Sequence, residues 1–188
     1  MAPASAGGRT AASGSGEHPV PAQHRAAAAG RAVRCCVITV SDSRTAASDV
    51  SGQEAVRALA AHGHQVVRRA LVPDDPVRIA AELGAALAAP EVEAVVLTGG
   101  TGVGPRDRTP EAVAPLLERE LPGFGELFRM LSHAEIGAAA MLSRALGGLG
   151  AGGRPIFCLP GSPRAVALAI ERLIGPELAH LVVLARGG

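Results

Sequence analysis

Hydrophobic positions begin to recur in this chain only after about residue 30. From Val33, a short β-branched run ending at Val40 predicts a buried strand. The next segment, SGQEAVRALAAHGH, places apolar residues at helical spacing, and Gly63 is positioned to end that helix. QVVRRALV predicts a second strand. The domain is therefore expected to open with a strand, a helix and a strand.

The same alternation continues along the rest of the chain. DDPVRIAAELGAALAA predicts a helix that Asp75 caps and in which Pro76 takes the first position. EAVVLTGG predicts the third strand, and Thr109 is expected to cap the next helix. A helical region is expected from about Gly123 to Leu146. A fourth strand, PIFCLP, and a further helix capped by Ser162 complete the pattern.

Near-continuous apolar strands that alternate with helices predict parallel pairing, with helices on both faces of the sheet. We therefore expect a three-layer α/β/α fold with a mostly parallel sheet over residues 31–188. Residues 1–30 are rich in Ala, Gly, Ser and Pro and lack apolar periodicity. Such a segment buries too little apolar surface to offset the entropy lost on ordering, and we expect a disordered tail.

Composition narrows the range of functions. A net charge of +1 provides no field for nucleic acid or an anionic membrane, and no apolar run approaches the roughly 20 residues of a membrane span. Without a signal-peptide pattern, a cytoplasmic protein is expected. The absence of Lys removes a P-loop lysine or a Schiff-base lysine. The three cysteines lie in apolar runs and are expected to be buried and unpaired: Cys35, Cys36 and Cys158.

All five aspartates follow one of the first three strands: Asp42, Asp49, Asp74, Asp75 and Asp107. In an open parallel sheet, the loops at the carboxyl ends of the strands form the ligand-binding crevice. Aspartate also favours loops and helix caps for purely structural reasons, which accounts for Asp75. Capping accounts less well for Asp74 and Asp107. On spacing alone, a functional and a structural role both stay open for the group.

Two glycine-containing loops fall in the same region. Four glycines occur between Gly99 and Gly104, and Gly161–Ser162 follows the fourth strand. Bare backbone lets amide groups approach an anion, so two such loops favour a ligand with several phosphates. Carboxylates beside phosphates normally require a bridging Mg²⁺, which would be bound by Asp74 and Asp107. The alternative is that these glycines only form tight turns. P-loop, Rossmann and nucleophile-elbow fingerprints do not match.

Three motifs resemble the MoaB/Mog family of molybdenum cofactor biosynthesis, and the resemblance covers roughly residues 33–184. They are LTGGTGVGPRDRTPEAV, LPGFGELFRMLSHAEIGAAAMLSRAL and FCLPGSPRAV, and the second is closer to the MoaB branch. The resemblance implies the fold of the gephyrin G domain and a homotrimer or homohexamer. Asp107 and Asp74 match the family's acidic positions. The other matches lie in binding loops: Ser41, Asp42, Asp49, Gly99, Gly100, Thr101, Gly102, Gly161 and Ser162.

The resemblance also implies an activity. Family members that are enzymes transfer AMP from ATP to molybdopterin with Mg²⁺, giving adenylylated molybdopterin and pyrophosphate. Under this hypothesis Mg²⁺ is bound by Asp107 and Asp74 and ATP is the co-substrate. No protein nucleophile is needed, because the attacking phosphate is already ionised. The alternative hypothesis is a protein that binds and delivers molybdopterin without catalysis.

Overall fold

The computed structural model describes residue 28 and residues 30–187. The expected disorder of residues 1–30 therefore falls almost entirely outside the described residues. The described part contains a six-stranded sheet. Its strands are β1 (Arg34–Val40), β2 (Gln65–Val72), β3 (Ala94–Thr98), β4 (Arg119–Glu120), β5 (Leu146–Gly150) and β6 (Arg154–Leu159).

The strands follow the spatial order β2-β1-β3-β6-β5-β4. The first four run parallel, whereas β5 pairs antiparallel with β6 and β4 pairs antiparallel with β5. The expected mostly parallel sheet is therefore confirmed. Because β2 and β3 lie on opposite sides of β1, the connections that leave β1 and β3 diverge and open a crevice at their carboxyl ends.

Three of the described helices begin where a side chain caps the first turn. Asp75 accepts a hydrogen bond from the amide of Arg78 at 2.9 Å, and Ser162 accepts one from the amide of Ala165 at 3.2 Å, as predicted. Their bounds are α1 (Val50–Ala61), α2 (Pro76–Ala88), α3 (Thr109–Val113), α4 (Pro122–Ile136), α5 (Pro163–Ala169) and α6 (Gly175–Ala185). Short 3-10 turns follow α3 and α4 and precede β6, and a π turn, Ile170–Ile174, joins α5 to α6. None of the helices within the described residues has both the length and the hydropathy needed to span a bilayer.

Two apolar clusters, one on each face of the sheet, form the core. Neighbouring residues of β1 enter opposite clusters, with Val37 in one and Ile38 in the other. Helices α1, α4, α5 and α6 contribute to the first cluster, and α2 and α3 to the second. Burial on both faces explains why β1, β3 and β6 are mainly apolar, whereas the edge strand β2 alternates between exposed and half-buried positions. The predicted three layers are confirmed.

The structure corrects two details of the sequence prediction. Thr109 is not the cap of α3: the helix begins at Thr109 itself, Arg108 takes the cap position without a side-chain hydrogen bond, and the Thr109 hydroxyl is buried. The expected helical region also ends early. After α4 the chain forms a 3-10 turn, Gly137–Leu142, and then the strand β5, with sequence LGGLG.

Glycine is depleted in strands, so β5 carries no strand signal of its own. Tertiary packing explains the composition. A methyl group at Gly147 would lie 3.0 Å from the ring of Phe124 and 3.1 Å from that of Phe157. One at Gly148 would lie 2.6 Å from the carbonyl oxygen of Arg119. The glycines allow neighbouring groups to approach this strand closely.

Candidate ligand-binding site

Loops that follow three parallel strands meet α4 around a cavity of about 500 Å³. One of them, residues 99–107 after β3, is termed the glycine loop below. The others follow β1 and β6. Most residues predicted for the site line this cavity: Ser41, Gly99, Gly100, Thr101, Gly102, Asp107, Gly161 and Ser162. The other three do not line it: Asp42, Asp49 and Asp74.

The peptide groups of the glycine loop are polarised. Its carbonyl oxygens accept hydrogen bonds from other segments: the amide of Thr109 donates to Gly100 at 3.0 Å, and that of Arg144 donates to Thr101 at 2.9 Å. The amides of Gly100, Thr101 and Gly102 have no hydrogen-bond acceptor within the described residues. These amides belong to residues that line the cavity, so they are available to an anion there.

Two glycines of this loop are required by backbone geometry. Gly99 has φ +109° and Gly100 has φ +63°, values that disfavour residues with a side chain. A methyl group at Gly99 would also collide with the carbonyl oxygen of Val40 at the end of β1. The tight turn that the sequence left as one alternative is therefore present, and it leaves amides of the loop without an acceptor among the described residues.

The loops after β1 and β6 add further donors. The hydroxyl oxygen of Ser41 accepts hydrogen bonds from the amides of Ser43 and Arg44, both at 3.3 Å, which leaves its hydrogen free to donate. The amides of Gly161 and Ser162 likewise have no acceptor among the described residues. Hydroxyls and amides from three loops thus surround the cavity.

Three carboxylates gather behind and beside the glycine loop. Asp107 Oδ2 accepts a hydrogen bond from the amide of Gly104 at 2.8 Å. A methyl group at Gly102 would lie 2.7 Å from Asp107 Oδ2, and one at Gly100 would lie 2.9 Å from Asp74 Oδ1. Asp42 accepts a hydrogen bond from the amide of Asp74 at 3.1 Å and forms an ion pair with an arginine of the glycine loop.

Partial burial, together with the like charges of Asp42 and Asp107, raises the pKa of Asp74 above its ordinary value. A cation beside these groups would relieve the repulsion. All donors are hard oxygens, which suits Mg²⁺, and the buried Thr109 hydroxyl beside Gly100 has no partner among the described residues. No three His, Cys, Asp or Glu side chains within the described residues are arranged to hold a metal alone. The oxygen donors of Asp74, Asp107 and Thr109 are of the kind that Mg²⁺ prefers.

Asp49 has a different position from the other predicted acidic residues. It is buried and caps α1 by accepting from the amide of Gly52 at 2.8 Å. It also accepts from the hydroxyl of Thr39 at 2.8 Å and from Arg69 at 3.0 Å. These partners tie the start of α1 to β1 and β2, so the structure gives Asp49 a structural role.

Sequence reasoning missed the wall that faces the glycine loop. Phe128, Ser132 and Ile136 lie at intervals of four residues on α4 and line the cavity, together with Leu142 from the following 3-10 turn. The Ser132 side chain has no hydrogen-bond partner among the described residues although the residue is only 5% exposed. The sequence signal for this wall was the position of Ser132 between Phe128 and Ile136 on one side of the predicted helix. The wall combines apolar surface with one free hydroxyl.

Arg44 is the other residue that was missed. It is the single cationic residue among those described as lining the cavity, and its Nη2 donates to the carbonyl of Gly161 at 2.9 Å. Its Nη1 bonds the hydroxyl of Ser51 and lies 3.8 Å from Asp49. Arg44 therefore links the loop after β1 to the loop after β6 and adds a positive charge to the cavity.

Fold and site together define an α/β protein with a cavity at the carboxyl edge of its sheet whose free amides suit a small anionic ligand. Comparison with known families makes this specific. The model of the probable molybdopterin binding domain matches residues 36–180, so this chain belongs to that family. The predicted membership of the MoaB/Mog family is confirmed.

Individual relatives agree with this assignment. Molybdenum cofactor biosynthesis protein B of Halalkalibacterium halodurans is 47% identical over 161 residues, which cover 85% of this chain and 94% of that protein. A crystal structure of molybdenum cofactor biosynthesis protein B has a TM-score of 0.82 at 45% identity, covering 85% of this chain and 99% of that one. The molybdopterin biosynthesis enzyme MoaB of Thermus thermophilus has a TM-score of 0.73 at 35% identity, covering 83% of this chain and 98% of that one.

Proposed function

We propose that this protein transfers AMP from Mg²⁺-ATP to molybdopterin, giving adenylylated molybdopterin and pyrophosphate. The observation that supports this most directly is the polarised glycine loop, whose free amides lie beside Asp107 and Asp74 on a cavity with one apolar wall. Amides suit phosphate oxygens, and the wall from α4 suits an uncharged ring system. A homotrimer or homohexamer, implied by the family resemblance, belongs to the same proposal, and light scattering tests it.

In this proposal the protein acts by positioning and by charge. The amides of the glycine loop and of Gly161–Ser162 hold phosphate groups, and Arg44 adds a positive charge. Asp107 and Asp74 would hold Mg²⁺, which supplies charge neutralisation when two phosphate groups approach each other. The nucleophile in this proposal is the substrate's own phosphate, which is already ionised at neutral pH and needs no protein nucleophile.

The test replaces one carboxylate without changing its shape. With Asp107→Asn, we expect formation of adenylylated molybdopterin to fall on the order of 10²-fold or more, because a metal-binding charge is lost. The measurement follows product from purified protein, Mg²⁺-ATP and molybdopterin. Asp75→Asn is a matched control, since Asp75 caps α2 and does not line the cavity. Unchanged turnover in Asp107→Asn would contradict the proposed role.

A second readout separates catalysis from binding alone. If the wild-type protein binds molybdopterin but forms no product with Mg²⁺-ATP, it is a binding or delivery protein, and the transfer proposal is wrong.

Asp74→Asn provides an independent test of the acidic site. Because the pKa of Asp74 is raised in the folded protein, its ionised form destabilises the fold at neutral pH. We therefore expect Asp74→Asn to lose activity while its thermal stability increases, as at other functional sites.

A further inference from the structure

Arg144 donates hydrogen bonds to the glycine loop but does not line the cavity. It follows the 3-10 turn after α4 and lies two residues before β5. Its Nε donates to the carbonyl oxygen of Gly102 at 2.7 Å, and its Nη2 donates to that of Asp107. Its backbone amide donates to the carbonyl oxygen of Thr101 at 2.9 Å. One residue therefore engages three carbonyl oxygens of a loop that lies about 40 positions earlier in the chain.

The geometry of the peptide bond links one of these contacts to the orientation of the Gly102 amide. In a trans peptide unit, the carbonyl oxygen of one residue and the N–H of the next point in opposite directions. Holding the oxygen of Thr101 therefore directs the N–H of Gly102 away from Arg144. The amide of Gly102 has no partner among the described residues, and Gly102 lines the cavity. The backbone amide of Arg144 thus orients the amide of Gly102, whereas its guanidinium binds the carbonyl oxygens of Gly102 and Asp107 and so holds the following part of the loop in place.

The guanidinium is itself held in place. Its Nη1 forms an ion pair with Glu111 of α3. Behind it, Nη1 of Arg129 on α4 donates to the carbonyl oxygens of Ser143 and Ala145, at 3.5 and 3.2 Å. The segment that carries Arg144 is therefore anchored to the helix that forms the apolar wall. The glycine loop and that wall are connected through two arginines.

We propose that Arg144 is a positioning residue: its guanidinium holds the peptide carbonyls of Gly102 and Asp107, which fixes the glycine loop and Asp107 in place and thereby determines affinity for the anionic part of the ligand. The planar guanidinium offers donors in a fixed fork that two carbonyl oxygens can share. A lysine ammonium group at this position would keep the positive charge but could not offer the same planar pair of donors. The ligand-affinity test below rests on molybdopterin binding and does not require the adenylyl transfer proposed above.

The experiment measures molybdopterin affinity by calorimetry in the presence of EDTA, so that no metal contributes. Arg144→Ala is expected to bind about 10- to 100-fold more weakly, since hydrogen bonds from a charged donor are lost. Arg144→Lys is expected to show an intermediate loss, because it keeps the charge without the fork. Guanidinium ion added to Arg144→Ala at non-denaturing concentration is expected to restore part of the affinity.

Two further variants distinguish positioning from general destabilisation. Glu111→Gln removes the ion pair but leaves the carbonyl contacts, so affinity should change less than about 3-fold. Glu93→Gln is expected to lower the stability of the domain, and Glu93 is not among the residues that line the cavity, so its affinity should match the wild type. Equal loss of affinity in Glu93→Gln and Arg144→Ala would overturn the proposal.

The remaining outcomes are also decisive. Wild-type affinity in Arg144→Ala, or in Arg144→Lys should the alanine variant fail to fold, would overturn the role of the fork. If the wild-type protein binds molybdopterin but forms no adenylylated product, the proposed function fails. The role of Arg144 is still decided by the binding measurements.

Discussion

Glu93 precedes β3 and joins both ends of the domain through one buried carboxylate. Its Oε1 accepts from Arg31 at 2.6 Å and from Arg186 at 3.1 Å, while its Oε2 accepts from the amide and the Nε of Arg34 at 3.1 and 3.4 Å. The Glu93 side chain is only 7% exposed. Replacing Glu93 with Gln keeps its size but removes the charge that three arginines share, and it places an amide donor against their donors.

The expected loss of stability follows from this geometry. Removing one partner of a buried ion pair generally costs about 3–5 kcal/mol. Here the arginine side chains are 32–47% exposed and can be rehydrated. We therefore expect Glu93→Gln to lower the free energy of unfolding by about 2–3 kcal/mol at pH 7. Glu171→Gln is the matched control: its ion pair with Arg57 is exposed to solvent, and no measurable change in stability is expected.

The pH dependence provides a second test of the same residue. Burial of the Glu93 carboxyl favours its neutral form, but the amide of Arg34 and the charge of Arg31 outweigh this and hold its pKa below its ordinary value. A depressed folded-state pKa gives stability that is present above the unfolded pKa of about 4.3 and is lost as the pH falls through the folded pKa. The difference between wild type and Glu93→Gln should therefore shrink in acid.

Urea unfolding of both proteins between pH 7 and pH 3, followed by circular dichroism, measures this difference directly. A midpoint change without a change in slope would show that stability alone is altered. A loss below about 0.5 kcal/mol at pH 7 would refute the assignment of a buried charge network. So would a loss that stays constant from pH 7 to pH 3, since it could not come from ionisation of the carboxylate.

Further expected outcomes concern two glycines and the cysteines. Gly84 lies within α2 with open space where a methyl group would be, so Gly84→Ala should raise the free energy of unfolding by about 0.5–1 kcal/mol in urea titration. The same change at Gly99, with φ +109° and a collision with the carbonyl of Val40, should instead lower it by at least ~2 kcal/mol. Burial raises the pKa of one cysteine thiol to about 12 and that of its neighbour to about 11, and it also raises the pKa of the third; all three are free and buried. A thiol reagent such as DTNB should therefore modify no thiol in the native protein at pH 8 and all three after unfolding: Cys35, Cys36 and Cys158.

Local chemistry explains which parts of the fold were predictable. The central strands β1 and β3 were recognisable because they are buried on both faces and consist mainly of apolar and β-branched residues. The caps at Asp75 and Ser162 were recognisable because a short polar side chain followed by proline satisfies the first turn of a helix by itself. The glycine loop was recognisable because four glycines directly after a strand leave backbone amides that no side chain shields. None of these features needs a distant partner.

The loop residues of the site were predictable from the sequence, whereas the residues that contact or face those loops from elsewhere in the chain were not. Ser41, Asp107 and the two glycine-containing loops follow strands, and a parallel sheet brings such positions to one edge. The role of Asp49 depends instead on Thr39 and Arg69, and that of Ser132 on facing the glycine loop across a cavity. Sequence spacing carries no information about such partners.

The amino-acid sequence alone thus determined the layered α/β architecture, the edge of the sheet at which the cavity lies and most of the loop residues that line it. Each of these depends on periodicity, caps or backbone freedom within a short segment. Only the tertiary structure determined that LGGLG forms a strand and that Arg144 orients the glycine loop. A glycine-rich strand is stabilised by the packing of neighbouring groups against it. The hydrogen bonds of Arg144 join segments that lie about 40 residues apart in the chain. Those contacts exist only once the chain has folded.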